Sequence, residues 1–246
     1  MTIIHLAAPA VAVAMAAAAT GAVAQAVTGF GFSLVTAPFL VLLVGPLNAV
    51  RLVNLLALFF NVVMLVREHK GVDLGNAARL LAPALVVAPA AAYVVHRTDP
   101  ALLSIVVGLT VLACAGLLAS GRRAERLRGP GGMVVAGAAS AAMNTTSGVG
   151  GPTVAMYALN AGWPTEMSRP TFQAYFLGLN VLSFVFLGPV SLQPVPAALV
   201  GAAIVAGYIA GVTALHRLSA VTVGKAVIGL AMAGGFAAVI RGIADM

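Results

Sequence analysis

The chain contains the same glycine-broken apolar segment twice. In the first half, Thr28-Gly29-Phe30-Gly31 interrupts a long apolar run. Roughly 119 positions later, Ser147-Gly148-Val149-Gly150-Gly151-Pro152 interrupts a second run in the same way. Broken hydrophobic segments at corresponding places of two halves are typical of the binding sites of transporters. The repeat therefore predicts two homologous halves, each with a bend inside an apolar segment.

The repeat continues downstream of the two bends at nearly the same spacing. The matched pairs are Arg51 with Arg169, Asn61 with Asn180, His96-Arg97 with His216-Arg217, and Gly108-Leu109 with Gly229-Leu230. Small insertions or deletions in loops explain offsets of about a residue. We therefore divide the chain into a first repeat at 1–120, a linker at 121–131 and a second repeat at 132–246.

The composition restricts the environment of these repeats. Of the 246 residues, 61% are hydrophobic and only 8% are charged. Soluble domains carry about a quarter charged residues, so a soluble fold of this size could not cover its surface. We predict an all-α polytopic membrane protein. The net charge of +7 does not indicate nucleic-acid binding, because the basic residues flank apolar segments and form no single face.

Ten apolar segments follow one another along the chain. They run over 3–28, 31–45, 48–66, 79–96, 101–120, 132–147, 151–162, 168–190, 194–215 and 220–240. A spanning helix needs about 20 residues, and the second segment of each half is shorter than that. We therefore expect eight to ten transmembrane segments, including short helices beside the glycine breaks.

The distribution of basic residues predicts the orientation. Four arginines between Arg122 and Arg128 place the linker in the cytoplasm. Five segments per half would then put Arg67, Lys70 and Arg169 inside as well, and would put the N-terminus and the turn at 190–193 outside. An odd number of segments per half gives an inverted repeat, which we favour. Four spans per half would instead give parallel halves.

Acidic residues are absent from the interior of the apolar segments. All six lie in loops or at termini, whereas an intramembrane hydrolase, a carboxylate-based proton pump or a cation carrier would need buried acids. We therefore predict that the protein is not an enzyme. The four histidines are scattered and the single cysteine, Cys114, has no partner, so no metal site or disulfide is expected.

Uncharged polar residues accompany the glycine breaks within the apolar segments. Glycines bend the chain, and a helix that begins after a bend presents free N–H groups and its positive dipole end. Two such breaks facing each other suit a small oxyanion. The backbone of this candidate site comprises Gly29, Gly31, Gly148, Gly150 and Gly151. Its candidate donors are Thr28, Ser147, Asn61 and Asn180, with Gln25 and Asn144 as second choices; Asn54 and Gln173 are further polar residues of the segments.

Two alternatives stay open for these residues. Glycines and amides in membrane helices also serve close helix packing and interhelical hydrogen bonding. Arg51 and Arg169, which occupy matching positions, would either attract anions to the site or extend their charges to the membrane surface. The first alternative corresponds to a membrane scaffold or assembly protein that transports nothing.

These motifs resemble the TauE/SafE family of sulfite exporters. The resemblance rests on Gly21, on Thr28-Gly29-Phe30-Gly31 with Pro38, and on Gly148 to Pro152. Ala49-Val50-Arg51 and Ser168-Arg169-Pro170-Thr171 fit as well, while Phe32-Ser33 stands where a further glycine is usual. The resemblance covers nearly the whole chain. It implies a multi-pass protein of the bacterial inner membrane that moves sulfite, organosulfonates or related small anions, without a cofactor. It leaves open a homo-oligomer.

Overall fold

The described residues, 2–120, 128–214 and 220–246 of a computed structural model, form helices, the loops between them and two three-residue strands. The first half comprises β1 Thr2–Ile4, α1 Ala8–Thr28, α2 Phe32–Val44, α3 Pro46–Glu68, α4 Leu74–Leu81, α5 Ala84–Arg97 and α6 Pro100–Ser120. The second half comprises α7 Pro130–Ser147, α8 Gly151–Asn160, α9 Thr165–Leu187, β2 Val190–Leu192, α10 Pro194–Ala214 and α11 Ala220–Ala244. Most of the predicted linker and the pair His216-Arg217 lie outside the described residues.

Each of the ten apolar segments corresponds to helix. Seven helical stretches of the described chain are long and apolar enough to cross a membrane. They are α1, α3, α4 with α5, α6, α9, α10 and α11, since α4 and α5 together form one stretch. The other three, α2, α7 and α8, flank the two glycine breaks. The chain is therefore an all-α polytopic membrane protein with short helices at the breaks, as predicted.

The two breaks begin with the same backbone geometry. Helix α1 ends at Gly29 with φ 83°, and α7 ends at Gly148 with φ 75°. The Gly29 N–H donates to the carbonyl of Gln25, and the Gly148 N–H donates to that of Asn144, both at 2.8 Å. Glycine adopts this left-handed conformation without a steric penalty. We call residues 29–31 elbow 1 and residues 148–150 elbow 2.

Helices α3 and α9, which correspond in the repeat, run antiparallel. Arg51 near the start of α3 donates from Nε to the carbonyl of Leu187, the last residue of α9, at 2.7 Å. Near the start of α9, Arg169 Nη2 lies 3.9 Å from Glu68 Oε1 at the end of α3. Each helix therefore begins where the other ends.

Helices α6 and α11 form a second antiparallel pair. A Cβ added at Gly108 would lie 2.6 Å from the carbonyl oxygen of Gly235, and one added at Gly242 would lie 2.7 Å from that of Ala101. Small residues at such contacts allow membrane helices to approach closely. Corresponding helices of an inverted repeat have opposite orientations, so these two pairs are compatible with the inverted repeat, which stays a prediction.

A parallel strand pair ties the N-terminus to the connection between α9 and α10. Strand β1 pairs with β2, with Thr2 opposite Val190 and Ile4 opposite Leu192. The sequence predicted a membrane segment from residue 3 and a plain turn at 190–193, so both expectations missed these strands. Helix α1 begins only at Ala8, where Pro9 suits its first turn. The pairing places both regions at one end of the bundle.

Candidate functional site

The two elbows meet and line one cavity. A Cβ added at Gly151, just after elbow 2, would lie 3.2 Å from Cβ of Phe30 in elbow 1. The space open to the centre of a water-sized sphere is about 20 Å³, which is room for about one water molecule. The lining residues are Gln25, Phe30, Gly31, Ser33, Leu34, Ala57, Asn61, Asn144, Val149, Gly150, Gly151, Pro152, Phe176 and Asn180.

On the first-half side of this cavity, a chain of hydrogen bonds fixes the orientation of buried amide side chains. Gln25 Oε1 accepts from the backbone N–H of Phe32 at 3.2 Å, and Gln173 Nε2 donates to the carbonyl of Gly29 at 3.0 Å. Between these ends, Gln25 Nε2 donates to Gln173 Oε1 at 2.9 Å and to Asn61 Oδ1 at 3.2 Å. A backbone N–H can only donate and a carbonyl can only accept. The backbone therefore fixes which end of each amide points where.

This orientation leaves one donor of Asn61 unpaired. Its oxygen is occupied by Gln25, while its Nδ2 atom is buried without a hydrogen-bond partner. The residue is only 1% exposed. A buried donor without an acceptor destabilises the fold by about 1–3 kcal/mol, so this arrangement calls for a functional explanation.

The second-half side of the cavity has an equivalent amide chain. Asn54 Nδ2 donates to the carbonyl of Val50 at 2.8 Å, which fixes the Asn54 oxygen toward Asn144. Asn144 Nδ2 then lies 2.7 Å from Asn54 Oδ1, 3.1 Å from Asn180 Oδ1 and 3.2 Å from Ser183 Oγ. The Asn180 oxygen is thereby occupied, and its Nδ2 atom donates to no residue of the described chain.

The two amide chains follow the sequence repeat. The bonds Gln25–Asn61 and Asn144–Asn180 both join residues 36 positions apart. A further contact from Gln25 reaches Met64 and one from Asn144 reaches Ser183, both 39 positions apart. Each hub also contacts one amide of the opposite half, because Gln25 bonds to Gln173 and Asn144 bonds to Asn54.

The starts of α2 and α8 add backbone donors to the cavity. Ser33 and Leu34 in the first turn of α2 and Gly151 at the start of α8 all line it. Their N–H groups donate to no acceptor within the described residues. The first N–H groups of a helix lack partners within the helix and carry its positive dipole end. The cavity is therefore rich in donors.

Seven of the predicted site residues line this cavity, namely Gln25, Gly31, Asn61, Asn144, Gly150, Gly151 and Asn180. Four others shape the elbows without lining it. Gly29 and Gly148 supply the bends. The Thr28 hydroxyl donates to the Ala24 carbonyl at 2.8 Å, and the Ser147 hydroxyl donates to the Met143 carbonyl at 2.6 Å. The Thr28 hydroxyl also accepts from the backbone N–H of Phe30 in elbow 1 at 3.3 Å, and neither Thr28 nor Ser147 lines the central cavity.

The two arginines lie outside the central cavity. Arg51 is held at the carbonyl end of α9, as described above. Arg169 donates to the Ala26 carbonyl near the end of α1, and its side chain packs against Gly29. It also lines a second cavity of about 220 Å³ together with Thr28 and Phe30. The two arginines thus do not perform matching roles.

Phe30 lines both cavities and therefore lies between them. The sequence analysis did not assign it, nor Phe176 on the far wall, because aromatic residues in apolar segments look like lipid-facing or core residues. It also missed Asn54 and Gln173 as orienting residues. The spacing of the repeat would have identified that pair, because Asn54 and Gln173 stand at equivalent positions of the two halves.

A known protein family matches the sequence of this chain. The family model for the sulfite exporter TauE/SafE matches residues 13–238, nearly the whole chain. The chain belongs to this family. No curated protein and no solved structure matches it. TauE/SafE is a transporter family, and membership agrees with the multi-pass helical architecture and with the resemblance carried by the glycine motifs.

Proposed function

We propose that this TauE/SafE protein is a secondary transporter of small sulfur-containing anions, such as sulfite or organosulfonates, in the bacterial inner membrane. The cavity between the elbows is its substrate site. The unpaired Nδ2 donor of Asn61, buried in a cavity that both elbows line, is the observation that carries the proposal.

The balance of hydrogen-bonding groups supports an anion as the substrate. The side-chain oxygens of Gln25, Asn61 and Asn180 each accept from a donor of the protein, whereas Asn144 Oδ1 accepts from none of the described residues. Donors remain free at Asn61 and at the starts of α2 and α8. Among the described residues, no carboxylate lines the cavity. A cation would need acceptors, whereas an oxyanion accepts hydrogen bonds at each of its oxygens.

The size of the cavity supports a closed state of a transport cycle. Room for about one water molecule is too small for an ion of four or more heavy atoms. The elbows must therefore separate to admit substrate, and the larger cavity beside Phe30 and Arg169 provides an approach from one end. The antiparallel pairs α3–α9 and α6–α11 support inverted repeats at 1–120 and 132–246, which is the architecture of many alternating-access transporters. The linker at 121–131 between the two repeats is cytoplasmic in this proposal.

The proposal is tested with purified protein in two assays. A ligand that binds the folded form raises the melting temperature by mass action, so sulfite and methanesulfonate should raise it while gluconate should not. Reconstituted into liposomes, the protein should carry the same anions, and Asn180→Ala should slow that flux. Wild-type protein that neither shifts its melting temperature nor carries any sulfur anion would contradict the proposal.

A further inference from the structure

We infer that the cavity between the elbows selects oxyanions with a single negative charge, which for sulfite means the hydrogen sulfite ion. This inference rests on the proposed function, because it concerns the same cavity. It follows from the charges that surround the cavity rather than from its shape.

The cavity contains no compensating side-chain charge. Its lining residues in the described chain are all uncharged. Arg51 is bonded to the Leu187 carbonyl, and Arg169 is bonded to the Ala26 carbonyl and lies beside Glu68. The helices that supply the lining carry the following charged and titratable residues, none of which lines the cavity: Arg51, Arg67, Glu68, Glu166 and Arg169, with Tyr157 and Tyr175. Helix α11 packs beside Gly31 through Val227, and its charged residues Lys225 and Arg241 do not line the cavity either.

Two helix starts supply the positive potential instead. The first turns of α2 and α8 line the cavity, through Ser33 and Leu34 on one side and Gly151 on the other. Each helix N-terminus is equivalent to about half an elementary charge, so the two together balance about one negative charge. The last turns of α1 and α7 also reach the cavity, through Gln25 and Asn144. Their carbonyls are paired, because those of Gln25 and Asn144 accept from the N–H groups of Gly29 and Gly148, and that of Ala26 accepts from Arg169.

A doubly charged ion would therefore keep one charge unbalanced within the membrane. The Born penalty for burying an ion rises with the square of its charge, and unpaired charge is unfavourable at this depth. Asn61 and the backbone amides can stabilise either ion by hydrogen bonding, but they add no full charge. The singly charged form is thus the species that the site accepts.

The decisive comparison uses two ions of the same tetrahedral shape. Wild-type protein in liposomes, with the same pH on both sides, is assayed with methanesulfonate, which carries one charge, and with sulfate, which carries two. We expect sulfate flux to be lower on the order of 100-fold, as one unbalanced charge in the membrane implies. Comparable fluxes of the two ions would overturn the inference.

The pH dependence of sulfite flux tests the same charge selectivity, because sulfite binds a proton near neutral pH. Above that pH, flux per total sulfite should fall about tenfold for each pH unit, following the hydrogen sulfite population. Methanesulfonate flux measured in parallel corrects for any effect of pH on the protein itself. A corrected sulfite flux that stays constant or rises with pH overturns the inference while leaving the proposed function standing. The absence of flux for all three ions would overturn both.

Discussion

Replacing Asn61 with alanine should separate anion binding from folding. In the closed state the Asn61 amide makes one hydrogen bond, from Gln25 at 3.2 Å, and its Nδ2 atom makes none. Losing that bond should cost about 0.5–1.5 kcal/mol, while removing the unpaired buried donor should return about 1–3 kcal/mol. The Gln25 donor keeps Gln173 as an acceptor. We therefore expect the free energy of unfolding of Asn61→Ala to lie between about 0.5 kcal/mol below and about 2.5 kcal/mol above that of the wild type.

The same substitution should strongly weaken anion binding. A hydrogen bond to a charged group contributes about 1.5–3 kcal/mol, so its loss should reduce affinity by about 10- to 100-fold. The assay is the melting temperature of purified protein, measured without anion and across a series of sulfite concentrations. The first condition reports folding and the concentration dependence reports affinity.

Asn54→Ala is the matched control on the same helix. Asn54 is fully buried, and both ends of its amide are paired, to Val50 at 2.8 Å and to Asn144 at 2.7 Å. Its removal should therefore destabilise the protein more than Asn61→Ala does, with a smaller effect on sulfite affinity. Equal destabilisation by both variants, with sulfite affinity unchanged in Asn61→Ala, would refute the reasoning and assign the amides to packing.

Two further predictions concern the elbows. A Cβ at Gly150 would lie 2.6 Å from Ser140 Oγ and 2.8 Å from the Ser140 carbonyl oxygen. Gly150→Ala should therefore lower the free energy of unfolding by about 1–3 kcal/mol, and with it the melting temperature and the flux. Gly201→Ala, with nothing within 4 Å of the new methyl group, should instead stabilise α10 by up to about 1 kcal/mol, and the opposite ranking would contradict this packing. Phe30→Ala should join the two cavities and raise anion leak from loaded liposomes, whereas Phe172→Ala, which alters only the outer one, should not; equal leak from both would exclude Phe30 as the barrier.

The sequence predicts the helices well because membrane spans are long and apolar, and because a bend within one needs glycine. Gly29 and Gly148 are recognisable for that reason, and so are Asn61 and Asn180, which are polar groups in apolar surroundings at equivalent positions. The direction of the hydrogen bonds could not be predicted from the sequence in this way. Whether an asparagine presents its oxygen or its nitrogen to a cavity depends on neighbours such as Gln25, and therefore on three-dimensional contacts.

The features that were missed share a physical cause. The strands at Thr2–Ile4 and Val190–Leu192 are only three residues each and lie at distant points of the chain, so neither carries a periodic pattern. The side chains of Thr28 and Ser147 looked like ligand donors because hydroxyls beside glycines often are. Within a helix, however, a hydroxyl readily bonds to the carbonyl four residues earlier, and both residues do so.

The amide bonds between the halves also determine which parts of the chain can move as units. Gln25 joins α1 to Gln173 of α9, and Asn144 joins α7 to Asn54 of α3. If these bonds persist while the bonds within the halves, Gln25–Asn61 and Asn144–Asn180, break as the elbows part, each mobile body combines helices from opposite halves of the chain. Neither half would then form a complete body on its own, and two separately produced fragments should regain activity only when they are synthesised together.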